Sequence, residues 1–333
     1  MTNPKKTPVL FMTEDELRDL AVMDAEALQS IENAFIWIAE DRVEMPPIMH
    51  MGVPENNGDL DIKSAYVRGE ASVAVKVAAG FFDNPKQGLP SSSGMVVVVS
   101  AKTGRCEAVF LDNAYLTDLR TGLAGAVAAK HLAPEAPCEL GVVGAGVQGR
   151  FQAEGVALVR DVTRIRVADL SEERLAAYKA EMEAKLGVPV ETTTSAEDVV
   201  RQSDVIVTTT PSKAPIVKAD WLKPGQHITC MGADLPGKQE IDPAVFARAD
   251  IIAADKPEQS RTHGELQHVG KDTSLKTTPV ALGDIARGKA QGRQAAEQIS
   301  ICDLSGVGVQ DTAIALHVLR AAAGRSVGQI FET

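Results

Sequence analysis

A strand expected at 139–143, apolar from Leu140 on, leads straight into Gly144-Ala145-Gly146-Val147-Gln148-Gly149, and this junction constrains the fold more than any other feature of the chain. A G-x-G-x-x-G between a strand and a helix uses its first glycine for a tight turn. The second lets a ligand approach the backbone, and the third lets the helix pack closely. Such a loop aims the N–H groups of a helix N-terminus, those of Val147 and Gln148 among them, at a pyrophosphate. The next expected strand, 164–168, leads into Asp169, twenty residues past Gly149, where a carboxylate accepts both hydroxyls of an adenosine ribose. A carboxylate there repels a 2′-phosphate and 170–173 contain no arginine, so NAD is favoured over NADP, with Arg174 keeping the second open.

The surrounding pattern agrees with a nucleotide fold. Strands are expected at 139–143, 164–168, 189–192 and 205–209, alternating with helices from 147, at 171–185 and at 195–202. Further strands at 227–231, 251–254 and 299–303 complete a doubly wound parallel sheet of the Rossmann type with right-handed crossovers, and 261–273 reads as a polar loop. Thr209 and Thr210 close the fourth strand, either facing the nicotinamide half of the crevice or serving as ordinary β-branched strand residues.

The preceding third of the chain is of another kind. Thr13 with Glu16 forms a capping box, and apolar residues from Leu17 to Ile31 recur at helical spacing, so the first forty residues read as helical. From 60 to 112 short β-rich runs, 72–79, 95–100 and 106–111, indicate an antiparallel sheet. A helix over 116–132 is stopped by Pro134 and Pro137, and an apolar last helix at 311–323, closed by Gly324, is expected to pack back on this N-terminal part. Residues 1–125 with 312–333 thus form an α+β substrate-binding and dimerisation domain, and 126–311 the NAD-binding domain.

A chain of 333 residues with a net charge of −11 carries no basic footprint for nucleic acid, and no apolar run long enough for a membrane span. Its four scattered cysteines and six histidines form no metal-binding spacing, and no signal peptide opens the chain, which reads as cytoplasmic with small-molecule partners.

Five blocks in order make the chain resemble the ornithine cyclodeaminase/mu-crystallin family over nearly its full length. They are 74–77 (Ala-Val-Lys-Val), 116–122 (Leu-Thr-Asp-Leu-Arg-Thr-Gly), the glycine loop, 232–240 and 303–311. The resemblance implies an NAD(P)-binding homodimer whose N-terminal domain and C-terminal helix build the dimer interface and one wall of the substrate cleft. It also implies catalytic roles for Lys76 and Arg120, beside the substrate carboxylate, and for Asp234. To the cofactor-binding residues it adds Ser91, Met231, Lys238, Ser305 and Val307. On the residues alone, Lys76 is equally a snorkelling strand lysine, Arg120 a solvating helix charge and Asp234 a loop cap.

Family members often carry an arginine two residues after a proline, where this chain reads Pro46-Pro47-Ile48; His50 and Lys63 are the nearest cations that restore the contact. Segments 45–48, 63–67, 80–85 and 91–93 look most like the branch that includes iminosuccinate reductase and ectoine-utilisation proteins. An imino-dicarboxylate needs more than one cation, and Lys63, His50, Lys76 and Arg120 supply them. The expected reaction is NADH-dependent reduction of iminosuccinate to L-aspartate, with an ammonia-eliminating cyclodeaminase or a non-catalytic binding protein as alternatives.

Overall fold

Alternate residues of four consecutive strands are buried on one face: Lys63, Ala65 and Val67 in Gly58–Val67, and Ser72, Ala74 and Lys76 in Ser72–Phe81. Val96 and Val98 follow in Ser92–Ser100, and Ala108 and Phe110 in Cys106–Leu111. One buried face with a period of two is what an antiparallel sheet covered on one side requires, and these strands pair antiparallel in that order. The computed structural model describes residues 6–270 and 273–333, which divide into two units. The first comprises the described residues up to Val22, Glu40–Arg120 and Val307–Thr333.

Its sheet runs Gln329–Glu332, Pro8–Thr13, Cys106–Leu111, Ser92–Ser100, Ser72–Phe81, Gly58–Val67, Val43–Glu44, with Met49–Val53 also paired to Gly58–Val67. The buried face is covered by the helix Gly308–Ala322. Gly308 lets that helix approach the Ser64 carbonyl, which a Cβ would meet at 2.8 Å, and Thr312 donates to the Ala65 carbonyl at 2.9 Å. The opposite face carries half-buried Ile62, Val75 and Val97 beside exposed Tyr66, Met95 and Leu111.

The second unit, Met23–Ala39 with Thr121–Gly306, holds an eight-stranded parallel sheet. Its order is Val190–Thr193, Val162–Ala168, Cys138–Val143, Val205–Thr208, His227–Cys230, Ser300–Asp303, Ile251–Ala254, Val280–Ala281. The chain winds outward from Cys138–Val143 in one direction and from Val205–Thr208 in the other, so the topological switch point lies between those two strands, where doubly wound sheets bind ligands. Both faces are apolar, as a parallel sheet demands: Leu140, Val142, Ile165 and Val207 on one, Ile206, Ile228, Ile252 and Ile301 on the other.

The α/β class and the doubly wound sheet agree with the sequence reading, and three local expectations are corrected. The opening is not wholly helical: Pro8–Thr13 is a strand, with Val9 and Met12 buried, and only after it do Glu14–Leu20 and Ala25–Ala39 form helices. The capping box marks a strand-to-helix junction there, with Glu16 accepting from both Thr13 N and Thr13 Oγ1. The segment 261–273, of which 271 and 272 lie outside the described residues, contains the end of helix Pro257–His263 and a 3-10 turn Glu265–His268. Its polar residues look solvated in sequence, but the N–H groups of Glu265 and Leu266 are satisfied by buried Asp303. The terminal strand Gln329–Glu332, which pairs with Pro8–Thr13, was not foreseen.

The expected domain limits also differ from the observed division, which falls at 120/121 and 306/307 and gives Met23–Ala39 to the second unit. That helix sits on Leu282–Ala286, where Gly283 meets the Phe35 carbonyl so closely that a Cβ would stand 2.0 Å from it. Gly283→Ala should therefore push two helices apart and cost about 1–3 kcal/mol, read as a lowered midpoint in urea with an unchanged slope. An unaltered midpoint would show that the contact carries no weight.

Candidate active site

The antiparallel register sets Lys63 directly opposite Lys76, on the buried face. Two lysines side by side in a protein interior need a counter-charge, and the C-terminal helix supplies it. Asp311 Oδ1 lies 3.0 Å from Lys76 Nζ and 3.1 Å from Arg120 Nε, while Arg120 also donates to Gln310 Oε1 at 2.9 Å. Asp311 Oδ2 is buried and has no hydrogen-bond partner among the described residues.

Burial pulls the Lys76 ammonium down to about 8; Asp311 opposes this, while Arg120 and Lys63 add to it. Burial pushes Asp311 the other way, but Lys76, Arg120 and Lys63 more than offset it and hold the carboxyl below its usual range. Three cations surround one carboxylate, an arrangement suited to an anionic ligand with more than one charge. The structure thus gathers Lys63, Lys76 and Arg120. His50 lies apart from them, exposed, with its Nδ1 2.8 Å from Asp61 Oδ1. Asp311 and Gln310, the residues that hold the group together, were not singled out in sequence, although they close the 303–311 block.

In the second unit the glycine loop has the required form. Gly144 has φ +110° and its Cβ would stand 2.8 Å from Thr209 Oγ1; a Cβ on Gly149 would reach 2.2 Å from the Gly144 carbonyl. At Gly146, the N-cap of helix Val147–Val159, a Cβ would meet nothing within 4 Å, so the space in front of the helix N-terminus is open. Asp169 accepts from Ala145 N and Ser171 N, each at 2.9 Å, and ties the loop to the end of the next strand, with Arg174 Nε 3.6 Å away. Arg150, unnoticed in sequence, donates to the carbonyls of Ala145 and Gly146 and braces the loop from behind. Open N-terminus, close-packed glycines and ribose-side carboxylate fit the adenosine diphosphate half of a dinucleotide.

The remaining expected cofactor residues lie as follows. Thr209 Oγ1 donates to the Gly144 carbonyl at 3.0 Å and so fastens the turn, while Thr210 N donates to buried Glu240 at 2.5 Å. Glu240 also accepts from Thr208 Oγ1 and Gly232 N, and burial raises its carboxyl above the usual range. Met231 is half-buried, its N–H on the Thr208 carbonyl. Asp234 and Lys238 pair with each other at 2.6 Å, Asp234 half-exposed on the loop after His227–Cys230. Ser305 donates to buried Asp255. Val307, buried, caps the C-terminal helix, and the Ser91 carbonyl accepts from Phe81 N; both belong to the first unit. Among the described residues no group of three or more His, Cys, Asp or Glu could hold a metal ion, and no helix is long and apolar enough to cross a membrane.

The model of one family, described as "Ornithine cyclodeaminase/mu-crystallin family", matches residues 9–325. The chain belongs to this family. A Rhizobium meliloti member named only as a dehydrogenase is 44% identical over 329 residues, 98% of this chain and 100% of that one. The iminosuccinate reductase of Paracoccus denitrificans is 32% identical over 325 residues, 97% of this chain and 100% of that protein. An archaeal alanine dehydrogenase dimer solved with bound NAD superposes with a TM-score of 0.88 at 34% identity, covering 98% of this chain and 99% of that one.

Asp311→Ala should remove the carboxylate that bridges buried Lys76 and Arg120 and cost about 3–5 kcal/mol in urea unfolding; a loss below 1 kcal/mol would deny the carboxylate its role. Asp169→Ser should raise the KM for NADH about tenfold or more and narrow the gap to NADPH, since the repelling charge is gone and Arg174 is released. An unchanged ratio of the two cofactors would refute that assignment.

Proposed function

We propose that the chain is a cytoplasmic NADH-dependent imine reductase that converts iminosuccinate to L-aspartate. The observation that carries this reading is the excess of positive charge in the first unit, Lys63, Lys76 and Arg120 around a single bridging carboxylate, which suits a substrate with two carboxylates. The dinucleotide belongs to the glycine loop of the second unit, and when bound its reduced nicotinamide supplies the hydride. NAD is favoured by Asp169 and by the relative solved with that cofactor. Iminosuccinate is the substrate that the name of the Paracoccus relative carries, at 32% identity.

In this reading the chain's own groups bind and handle protons. Lys76 and Arg120 clamp the carboxylate next to the C=N carbon, and Lys63 takes the distal one. Asp234 keeps a proton on the imine nitrogen, so that hydride at carbon and the N–H already in place yield the amine. Binding both carboxylates in a dry, cationic site also polarises the C=N bond toward hydride acceptance.

The protein is proposed to act as a homodimer, with the uncovered sheet face of the first unit against its copy. That face groups exposed Tyr66, Met95 and Leu111 with half-buried Ile62, Val75 and Val97 on adjacent strands, a contiguous apolar surface of the kind that marks a protein contact. Val97→Lys should give a monomer in sedimentation; a dimer of unchanged strength would move the interface elsewhere.

Purified protein mixed with NADH and freshly generated iminosuccinate should oxidise one NADH per aspartate. No oxidation above the enzyme-free blank would end the proposal, and ammonia release from ornithine without net NADH use would replace it with a cyclodeaminase. Because the Lys76 ammonium is lost as pH rises through about 8, kcat/KM should fall above that pH. Lys76→Met should lower kcat/KM about a hundredfold or more at pH 7.

A further inference from the structure

Asp112 lies two residues past Phe110, on the face of the sheet that carries Lys76. The register places Lys76 opposite Val96 and Val96 opposite Phe110. The adjoining pair on the inner strands is Ala78 with Gly94, and a Cβ on Gly94 would stand 2.7 Å from the Val77 carbonyl and 3.7 Å from Ala114 N, so the turn after Asp112 packs closely on the inner strands. Asp112 is 1% exposed; its Oδ2 accepts from Leu116 N at 3.0 Å, and its Oδ1 has no hydrogen-bond partner among the described residues. The turn that holds it is strained: Asn113 and Ala114 have φ of +47° and +74°, the second a conformation alanine rarely adopts. A buried acceptor left open and a strained turn together mark a position kept for chemistry rather than stability. Burial pushes the Asp112 carboxyl up to about 6, with the Leu116 N–H and the Lys76 charge pulling it back and Asp311 pushing further.

We propose that Asp112 is a positioning residue for the reduction, acting through Lys76: its carboxylate supplies the second negative charge that keeps that ammonium in the cluster. The proposal rests on the reductase reading above and deepens it. The groups facing Lys76 are Lys63 from Gly58–Val67, Arg120 from Tyr115–Leu132, Asp311 from Gly308–Ala322 and Asp112. With Asp112 ionised, three side-chain cations and a protonated C=N nitrogen meet two side-chain carboxylates and two substrate carboxylates, and the charges balance. Without it, Lys76 and Arg120 share Asp311 alone, and burial already draws the Lys76 ammonium down to about 8.

Asp112→Asn removes the charge and keeps an acceptor for Leu116 N–H. In ligand-free protein, a double-mutant cycle of Asp112→Asn with Lys76→Met should be non-additive in Tm by about 2 °C or more at pH 7 and additive at pH 5, where Asp112 is protonated. Additivity at pH 7 overturns the proposal whatever the substrate proves to be. In turnover, Asp112→Asn should move the alkaline limb of kcat/KM down by about half a pH unit or more, Asp112→Glu should restore it, and the KM for NADH should change less than about twofold. Coupling in Tm with an unmoved alkaline limb leaves a structural ion pair and also overturns the proposal. If the parent protein reduces no C=N acid, the reductase reading falls and the role in reduction falls with it, while the Tm cycle still reports whether Asp112 acts on Lys76.

Discussion

A single carboxylate oxygen, Asp311 Oδ1, joins a strand lysine to a helix arginine, and the binding chemistry of the first unit depends on it. Lys76 and Arg120 are almost wholly buried, and neither could stay charged there without a partner. The bridge therefore fixes three elements at once: Ser72–Phe81, the start of Tyr115–Leu132 and the C-terminal helix. It also explains why the end of the chain returns to the first sheet, because the helix that covers the sheet is the one that brings the counter-charge. Gly308 and Thr312 set its depth and Asp311 its register.

The second unit uses buried carboxylates in the opposite way. Asp303 ends the strand Ser300–Asp303, Asp255 follows Ile251–Ala254 and Glu240 lies within the short strand Gln239–Ile241; all three are satisfied mainly by hydroxyls and backbone N–H groups. Burial raises all three, Asp303 to about 7, since N–H dipoles compensate a buried charge less fully than an ammonium does. Their effect is to fix the loops after Val205–Thr208, His227–Cys230 and Ser300–Asp303, which carry Thr210, Gly232 and Ser305. Carboxylates thus arrange cations in one unit and backbone in the other.

What was legible in sequence follows from how local the signal is. The glycine loop, the strand before it and Asp169 lie within about thirty residues and obey one steric rule, so their form could be read directly; Gly144 and Gly149 sit where a Cβ meets backbone. The helix expected at 171–185, found as Glu172–Leu186, and the run Cys106–Leu111 were equally local. Asp311 and Asp112 were not legible as site residues, because each gains meaning only from a lysine hundreds or tens of residues away, across a sheet register that no periodicity specifies. The strand Pro8–Thr13 was hidden for a related reason: its partners, Cys106–Leu111 and Gln329–Glu332, are distant, and the adjacent capping box speaks for helix. His50, a cation picked by proximity in sequence, shows the converse: its ring faces Asp61 across an exposed hairpin, apart from Lys63, Lys76 and Arg120.

The cost of the cluster is itself informative about its ligand. A well-packed apolar core would hold the sheet and helix together at least as firmly as Lys63, Lys76, Arg120, Asp112 and Asp311 do, because ion pairs repay their desolvation only in part. Two carboxylate oxygens, one on Asp112 and one on Asp311, lie buried with no hydrogen-bond partner among the described residues, and two lysines face each other across adjacent strands. None of these is favourable in the free protein. Under the proposed function a ligand with two negative charges and an N–H donor would relieve them together: its carboxylates would add negative charge beside the cations, and its N–H would meet an open acceptor. An ornithine-like ligand, with one carboxylate and two ammonium groups, would bring further cations beside Lys63, Lys76 and Arg120, so the charge pattern favours the dicarboxylate of the proposed reaction over a diamino acid.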